Sequence, residues 1–169
     1  QQYSLWTWVN QWSGITISAR VKTNNASTTQ AIVTKKNSYW IIIKDGKIWV
    51  SPSTYWMWHD TNIPITTDRT HITRTYDGQQ MNVYKNGWQW NPWWLSWSYN
   101  ISGSLTTGDD LTFIWYDEIN TERWRNGLID EIRMYNTWFT AQQVQQLYES
   151  NLKIVEWDDP YREFISVVT

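Results

Sequence analysis

Two strand-length runs that each end in a turn signal constrain the fold of this chain more than any other feature. Residues 70–76 are followed by an Asp-Gly pair at 77–78, and residues 80–85 are followed by an Asn-Gly pair at 86–87. Such pairs tolerate positive φ at both central residues of a type I′ turn, whose twist matches that of antiparallel strands. The segment 70–90 therefore predicts two successive β-hairpins.

Apolar and polar residues alternate along most of the chain. Ile15, Ile17, Ala19 and Val21 take every second position of one run, so they would share one face of a strand. Further strands are predicted at residues 31–34, 39–43, 47–50, 55–58, 97–101, 111–116 and 164–168, with a loop around Pro64. Because no helical pattern separates these runs, they predict an antiparallel sandwich or barrel.

One short helix is predicted near the end of the chain. Thr140 and Gln143 have the spacing of a capping box, in which each side chain satisfies the other's backbone N–H group. The apolar positions that follow form one stripe, made of Ala141, Val144, Leu147 and Tyr148. We expect this helix to lie against a sheet edge as a lid.

Size and composition set broad limits. A chain of 169 residues fits one domain, which we predict to span residues 1–169, with residues 150–169 as an additional strand-bearing tail. No cysteine is present, so disulfides and thiol chemistry are excluded. The net charge of −2 gives no reason to expect nucleic acid as a partner. No stretch of about 18 apolar residues predicts a membrane span.

The first residue and two short motifs favour an exported protein. The chain begins with Gln1 in a strand-like pattern, as a processed, exported protein would, although a chain cut for expression would begin the same way. Asn25 and Asn100 each begin an Asn-X-Ser tripeptide, which is an acceptor sequence for glycosylation. We therefore expect an extracellular or surface-exposed location, with Asn25 and Asn100 as candidate glycosylation sites.

Tryptophan is the outlier in composition. The chain holds 16 Trp and ten Tyr but only three Phe, more indole than one sandwich core of this size readily hides. Exposed aromatic side chains mark contacts with sugars, proteins or lipids. The predicted ligand-binding residues form two sets, Trp88, Trp90, Trp93, Trp94 and Trp97 in the first and Tyr55, Trp56 and Trp58 in the second. The alternative is a core built locally from tryptophan.

Five segments resemble laminin-G-like domains in the order in which that family has them. Residues 14–22 resemble F-T-I-S-A-W-V-K, residues 71–78 resemble H-V-A-x-T-Y-D-G and residues 81–87 resemble L-x-L-Y-V-N-G. Residues 127–136 resemble G-x-I-D-E-V-R-I-Y-N, and the helix that follows resembles L-S-x-x-E-I-x-x-L-Y. The resemblance implies an all-β fold, an antiparallel jelly-roll β-sandwich of laminin-G and concanavalin type with one short C-terminal helix. Many domains of this family bind sugars or matrix proteins.

Asp130 is the candidate metal ligand. It shares strand parity with Leu128, Ile132 and Met134, so we expect it to face the core, where a carboxylate needs a partner. The resemblance places this position near a calcium site, and calcium is bound by oxygen ligands. Calcium is therefore a candidate cofactor. The alternative is that Asp130 accepts backbone N–H groups and fixes the N-terminal strand.

Catalysis is not expected. One predicted loop holds three acidic residues, Asp117, Glu118 and Glu122. Glycosidases with the fold of the resembled family use a compact E-x-D-x-x-E run on one strand, and this sequence lacks such a run. His59 and His71 have no metal-ligand spacing. The acidic loop is better explained as a solvated surface, so the sequence favours a module that is not an enzyme.

Two functions remain open at this point. The first is a non-catalytic extracellular lectin-like recognition or adhesion module that binds a glycan, or a cell-surface protein, through exposed tryptophans. The second is a structural subunit that self-assembles into an extracellular filament or virion. Residues 1–59 carry six Lys/Arg against one acid and residues 109–169 five against twelve, a polarity that could bring subunits together head to tail. The alternative is that folding mixes the two halves on one surface. In a filament or virion, a terminal strand would complete a neighbouring subunit's sheet, with assembly residues Phe164, Ile165, Val167 and Val168.

Overall fold

The computed structural model describes residues 3–5, 14–35, 38–51, 58–89, 98–100, 112–114, 126–154 and 165–168. These residues form thirteen strands and one helix. In chain order they are β1 (Tyr3–Leu5), β2 (Ile15–Thr23), β3 (Gln30–Lys35), β4 (Tyr39–Lys44), β5 (Lys47–Ser51), β6 (His59–Pro64), β7 (Thr70–Tyr76), β8 (Gln80–Lys85), β9 (Trp88–Gln89), β10 (Ser98–Asn100), β11 (Thr112–Ile114), β12 (Gly127–Tyr135), α1 (Ala141–Ile154) and β13 (Ile165–Val168).

The strands form two sheets around one core. Sheet A has the order β1-β11-β3-β4-β5-β6, and sheet B has the order β10-β8-β7-β2-β12-β13, with β9 paired to β8. Among the described pairs, only β12 and β13 run parallel. Isoleucine and valine side chains of both sheets meet in one buried cluster, which includes Ile17, Ile72, Ile41 and Ile48. The predicted antiparallel jelly-roll sandwich with one helix is confirmed.

The hairpin predictions hold, but the two turns differ. Asn86 (φ 54°) and Gly87 (φ 77°) both have positive φ, as the type I′ turn requires. Gly78 also has positive φ, whereas Asp77 does not. The Asp77 carboxylate accepts the backbone N–H groups of Gln79 at 2.8 Å and of Gln80 at 2.6 Å. These hydrogen bonds stabilise a turn in which Asp77 does not have positive φ, so the type I′ expectation is wrong at the first turn.

The structure corrects the prediction around Pro64. Trp58 precedes a strand that runs from His59 to Pro64, and residues 55–57 lie outside the described residues. The polar run 59–62 looked like a loop, but side chains hold it to β5. Thr61 donates its hydroxyl to the Ile48 carbonyl at 2.7 Å. Pro64 is tolerated because β6 is the last strand of sheet A.

Helix α1 begins with the predicted capping box. The Thr140 N–H donates to Oε1 of Gln143 at 2.9 Å, and the Gln143 N–H donates to Oγ1 of Thr140 at 3.3 Å. Val144 and Leu147 are buried, as the apolar stripe requires, whereas Ala141 is exposed. Tyr148, in the same stripe, lies with its ring 5.6 Å from the imidazole of His71 in β7. The helix therefore packs against sheet B.

The C-terminal strand lies next to β12 of its own chain. Ile165 is opposite Ile132, and Val167 is opposite Met134. In this single chain the tail thus completes its own sheet B and forms the edge of that sheet. Phe164 lies outside the described residues. The role of Phe164, Ile165, Val167 and Val168 in assembly stays a prediction.

Candidate functional site

Trp88 is the residue of the first tryptophan set whose side chain the structure describes, and it is 63% exposed. It follows the Asn86-Gly87 turn and lies in β9, directly opposite Lys85 of β8. Gly87 is held against the helix, because a Cβ atom at this position would come within 2.8 Å of Tyr148. The hairpin therefore presents the indole from a fixed backbone. Trp90, Trp93, Trp94 and Trp97 lie outside the described residues.

One charged residue is paired with Trp88 across the hairpin. Lys85 lies across the strand pair, and side chains of such a pair are close neighbours on one face. The Lys85 ammonium donates to the Pro64 carbonyl at 2.7 Å. Burial lowers the pKa of Lys85, while the charge of Asp68 acts in the opposite direction. The Lys85 ammonium is thus bound to β6, and the exposed Trp88 ring offers a flat apolar face.

Trp58, from the second predicted set, has a different environment. Its ring meets that of Trp40 edge to face, with centroids 5.1 Å apart and planes at 85°. Trp58 is half-buried, and this packing uses part of its surface. Tyr55 and Trp56 lie outside the described residues. Trp58 is therefore a weaker platform for a ligand than Trp88.

Sheet A carries an indole that the sequence interpretation did not single out. Trp49 is half-buried and pairs across the strands with Asp60. The Lys44 ammonium lies 4.8 Å from the centroid of the Trp49 ring, and the Trp49 indole N–H donates to the Lys44 carbonyl at 3.0 Å. Beside it, Lys47 binds Asp60 at 2.7 Å and Asn62 at 2.9 Å. The only sequence signal for Trp49 was its place in the run 47–50, which predicted a strand.

A β-bulge changes the orientation of Asp130. The register between β12 and β2 shifts between Asp130 and Arg133, and Glu131 has positive φ (49°). Before the bulge Ile129 packs against the core and Leu128 is exposed, whereas Ile132 after it is buried. The expectation that Asp130 faces the core is therefore wrong, because the extra residue switches the parity of the strand.

Asp130 and Glu131 lie among guanidinium groups. Oδ2 of Asp130 is 3.6 Å from Nη1 of Arg69, and Oε1 of Glu131 is 3.7 Å from Nη1 of Arg20. Burial raises the pKa of both carboxyl groups, and the positive charge of Arg20 is the largest opposing influence on each. His71 is opposite Arg20 in β7, and burial, followed by the charges of Arg20 and Arg133, lowers its pKa to about 4.

These residues fit a calcium ion poorly. Calcium takes six to eight oxygen ligands. The described residues contain no group of three or more His, Asp or Glu side chains that could hold a metal ion. The guanidinium groups of Arg20 and Arg69 already lie where a cation would offset the charge of Glu131 and Asp130. Asp130 as a calcium ligand stays a prediction without support from its described neighbours.

Both candidate glycosylation residues are on the surface. Asn25 is exposed, and its Oδ1 accepts the Ser27 N–H at 3.0 Å. Asn100 is exposed in β10, where its Oδ1 accepts from Nε2 of Gln80 at 3.3 Å. Their modification stays a prediction. The acidic residues at 117, 118 and 122 lie outside the described residues.

The fold and the sequence together define the class of protein. The architecture is a jelly-roll β-sandwich of the concanavalin type. The chain belongs to the Laminin_G_3 family, described as the concanavalin A-like lectin/glucanases superfamily, which matches residues 4–145. A search of curated proteins finds no match. No helix in the described part of the chain is long and apolar enough to cross a membrane.

Several solved structures share this fold. Domain 4 of the extracellular GH43 arabinanase AbnA from Geobacillus stearothermophilus, solved with arabinotriose, is 24% identical with a TM-score of 0.62, over 86% of this chain and 71% of that one. A putative carbohydrate-binding protein from Bacteroides ovatus is 15% identical with a TM-score of 0.61, over 86% of this chain and 43% of that one. The heptameric SAP-like pentraxin from Limulus polyphemus is 14% identical with a TM-score of 0.57, over 87% and 74%. This chain thus spans less than half of the Bacteroides protein.

Proposed function

We propose that this chain is a non-catalytic, extracellular, lectin-like recognition module that binds a glycan through tryptophans of the two predicted sets, Trp88 first among them. The observation that carries the proposal is the Trp88 indole, 63% exposed at the end of a hairpin that the helix holds in place. Membership of the concanavalin A-like lectin/glucanases superfamily supports a carbohydrate ligand, as does a neighbour of the same fold that was solved with arabinotriose.

The chemistry of Trp88 suits a sugar. The flat face of an indole covers the apolar C–H face of a pyranose or furanose ring, and the indole N–H can donate to a hydroxyl group. An exposed aromatic surface is a usual component of a small-ligand site. A cell-surface protein that presents a glycan is then the expected partner.

Replacing Trp88 tests this proposal. We expect Trp88→Ala to lower glycan affinity at least about tenfold, since an aromatic residue at a binding hot spot contributes about 2 kcal/mol or more. Stability should hardly change, because the indole is exposed. Trp138→Ala is the matched control, since Trp138 is also exposed (47%) but lies just before α1. Isothermal titration calorimetry on both variants gives the answer, and equal affinities would contradict the role of Trp88.

Self-assembly is the second candidate function, and the position of β13 favours it. As the last strand of sheet B, β13 has an outer edge to which no described strand is paired. An edge strand is a template for a strand of another chain. Under this proposal Ile165, Val167 and Val168 mediate polymerisation. Deleting residues 161–169 should then abolish polymers seen by electron microscopy while the remaining domain stays folded, and unchanged polymers would contradict it.

A further inference from the structure

The edge of sheet A carries a group of polar side chains around one lysine. The Lys47 ammonium donates to Oδ2 of Asp60 at 2.7 Å and to Oδ1 of Asn62 at 2.9 Å. Trp49 is paired with Asp60 across β5 and β6, and side chains of such a pair are close neighbours on one face. We call Lys47, Trp49, Asp60 and Asn62 the edge cluster.

The edge cluster is open to solvent. The side chain of Lys47 is 38% exposed and that of Asp60 is 28% exposed, while Asn62 is an exposed residue. Trp49 is half-buried, and its contacts with the ammonium and the carbonyl of Lys44 fix the indole beside these polar groups. A ligand that approaches from solvent can therefore reach the polar atoms and part of the indole.

The edge cluster keeps hydrogen-bonding capacity for a ligand. Oδ1 of Asn62 accepts from the Lys47 ammonium, so the amide is oriented with Nδ2 directed elsewhere. Within the part of the chain that the structure describes, Nδ2 of Asn62 donates to no residue. A lysine ammonium has three N–H groups, of which Asp60 and Asn62 take two. Donors are thus left beside the carboxylate of Asp60, and a sugar hydroxyl group both accepts and donates.

The charges around the edge cluster favour a neutral ligand. Lys44 and Lys47 face each other across the β4–β5 hairpin, and their charges are balanced by those of Asp45 and Asp60. A surface with balanced charges has no strong net attraction for an acidic or a basic group. Mixed donors and acceptors beside an aromatic ring are typical of a site for a polar small ligand. A neutral saccharide has the matching chemistry, with hydroxyl groups next to C–H groups.

Strand β6 connects the edge cluster with the Trp88 hairpin. The carbonyl of Pro64, two residues after Asn62, accepts from the Lys85 ammonium at 2.7 Å. Lys85 is opposite Trp88 and shares strand parity with the core residues of β8, so Trp88 lies on the face of sheet B that is turned toward sheet A. Two residues of a strand span about 7 Å. The hairpin and the edge cluster therefore lie along one edge of the sandwich.

We infer that the edge cluster binds a further sugar unit of a neutral oligosaccharide whose first unit covers Trp88. Hydroxyl groups of the further unit accept from Nδ2 of Asn62 and from the Lys47 ammonium, and they donate to the carboxylate of Asp60. The exposed part of Trp49 contacts the C–H groups of the same unit. This inference rests on the proposed glycan-binding function and deepens it, because it names a neutral oligosaccharide as the ligand.

Variants of the edge cluster test the inference by calorimetric titration. The probe is the neutral oligosaccharide with the strongest wild-type signal on a glycan array. We expect the double variant Lys47→Met, Asn62→Gly to bind it at least about tenfold more weakly, since two hydrogen bonds to the ligand are lost. Asn62→Gly alone should weaken binding about threefold or more. Glycine suits the φ of 56° at this position, so the backbone of β6 should keep its conformation.

Asp45→Gly is the matched control. Asp45 is also exposed and also has positive φ (52°), but it lies in the β4–β5 turn, where its side chain has no hydrogen bond to a described residue. Its affinity for the oligosaccharide should equal that of the wild type. Thermal unfolding checks that each variant is folded at the temperature of the titration.

The length of the sugar chain separates this inference from the role of Trp88. The shortest fragment of the oligosaccharide that still binds should bind the wild type and the double variant equally, because it covers Trp88 alone. The full oligosaccharide should bind the wild type more tightly than the fragment, since linked contacts reinforce each other. In a titration of ¹⁵N-labelled protein, the Nδ2 signals of Asn62 should shift with the oligosaccharide and not with the fragment.

Three results would overturn the inference and leave the role of Trp88 intact. They are full affinity of the double variant for the oligosaccharide, an equal loss of affinity for oligosaccharide and fragment, and a wild type that binds acidic glycans only. A wild type that binds no glycan on the array would overturn the proposed function itself, and the inference with it.

Discussion

Gly127→Ala is expected to destabilise the protein by about 3 kcal/mol or more, or to prevent folding. Gly127 begins β12 with φ 155°. A Cβ atom there would overlap the carbonyl oxygen of Lys22 and come within 2.8 Å of the Thr23 Cα. Both obstacles are backbone atoms of β2, so no side-chain rotation relieves the clash. Urea unfolding monitored by tryptophan fluorescence measures the loss.

Gly46→Ala is the control for the backbone conformation alone. Gly46 has φ 73° in the β4–β5 turn, but nothing lies within 4 Å of the position that a Cβ atom would take. We expect a loss of only about 1 kcal/mol from the strained φ. Equal stability of the Gly46→Ala and Gly127→Ala variants would show that β12 does not approach β2 as closely as described.

The second large effect is a loss of stability in acid that depends on His71. Burial is the main cause that lowers its pKa to about 4, and Arg20 and Arg133 add to it. The unfolded chain takes up the proton near pH 6.5, whereas the folded protein does not until about pH 4. Stability from neutral His71 is therefore complete above pH 6.5 and falls as the pH is lowered to 4. The shift corresponds to about 3 kcal/mol.

Comparison with His71→Gln isolates this effect. The free energy of unfolding, measured by urea at pH 7 and at pH 4, should fall by about 3 kcal/mol less in the variant than in the wild type. Asp130 and Glu131 act in the opposite direction, because their raised pKa values favour the folded state as the pH falls. His59→Gln is the control, since burial lowers the pKa of His59 as well but the residue is only half-buried. An identical pH dependence in wild type and His71→Gln would contradict the prediction.

Local signals made much of the fold predictable. The Asn86-Gly87 turn, the capping box of Thr140 and the alternation in β2 each depend on residues close together in sequence. The β12 bulge was not predictable, because nothing in the residue type of Glu131 indicates positive φ. One inserted residue reverses the face of every position before it, and that reversal moved Asp130 out of the core.

The candidate site was also predictable in part, because its tryptophan-rich segment is local in the sequence. The density of tryptophan in residues 88–97 indicated an exposed indole, and Trp88 is exposed. The ion pairs at the β12 bulge join residues that are distant in sequence, Arg20 with Glu131 and Arg69 with Asp130. Spacing along one strand cannot reveal such pairs. Trp49 was missed because its partner, Asp60, belongs to a strand that the sequence pattern placed too early.

Glycan binding by Trp88 is tested most directly by a glycan array probed with wild-type protein and Trp88→Ala, both in the presence of a calcium chelator. We predict that the wild type binds a defined group of glycans without calcium and that Trp88→Ala loses these signals, while Trp138→Ala keeps them. Absence of wild-type binding, or the same signals from Trp88→Ala, would contradict a recognition surface built on the exposed indole.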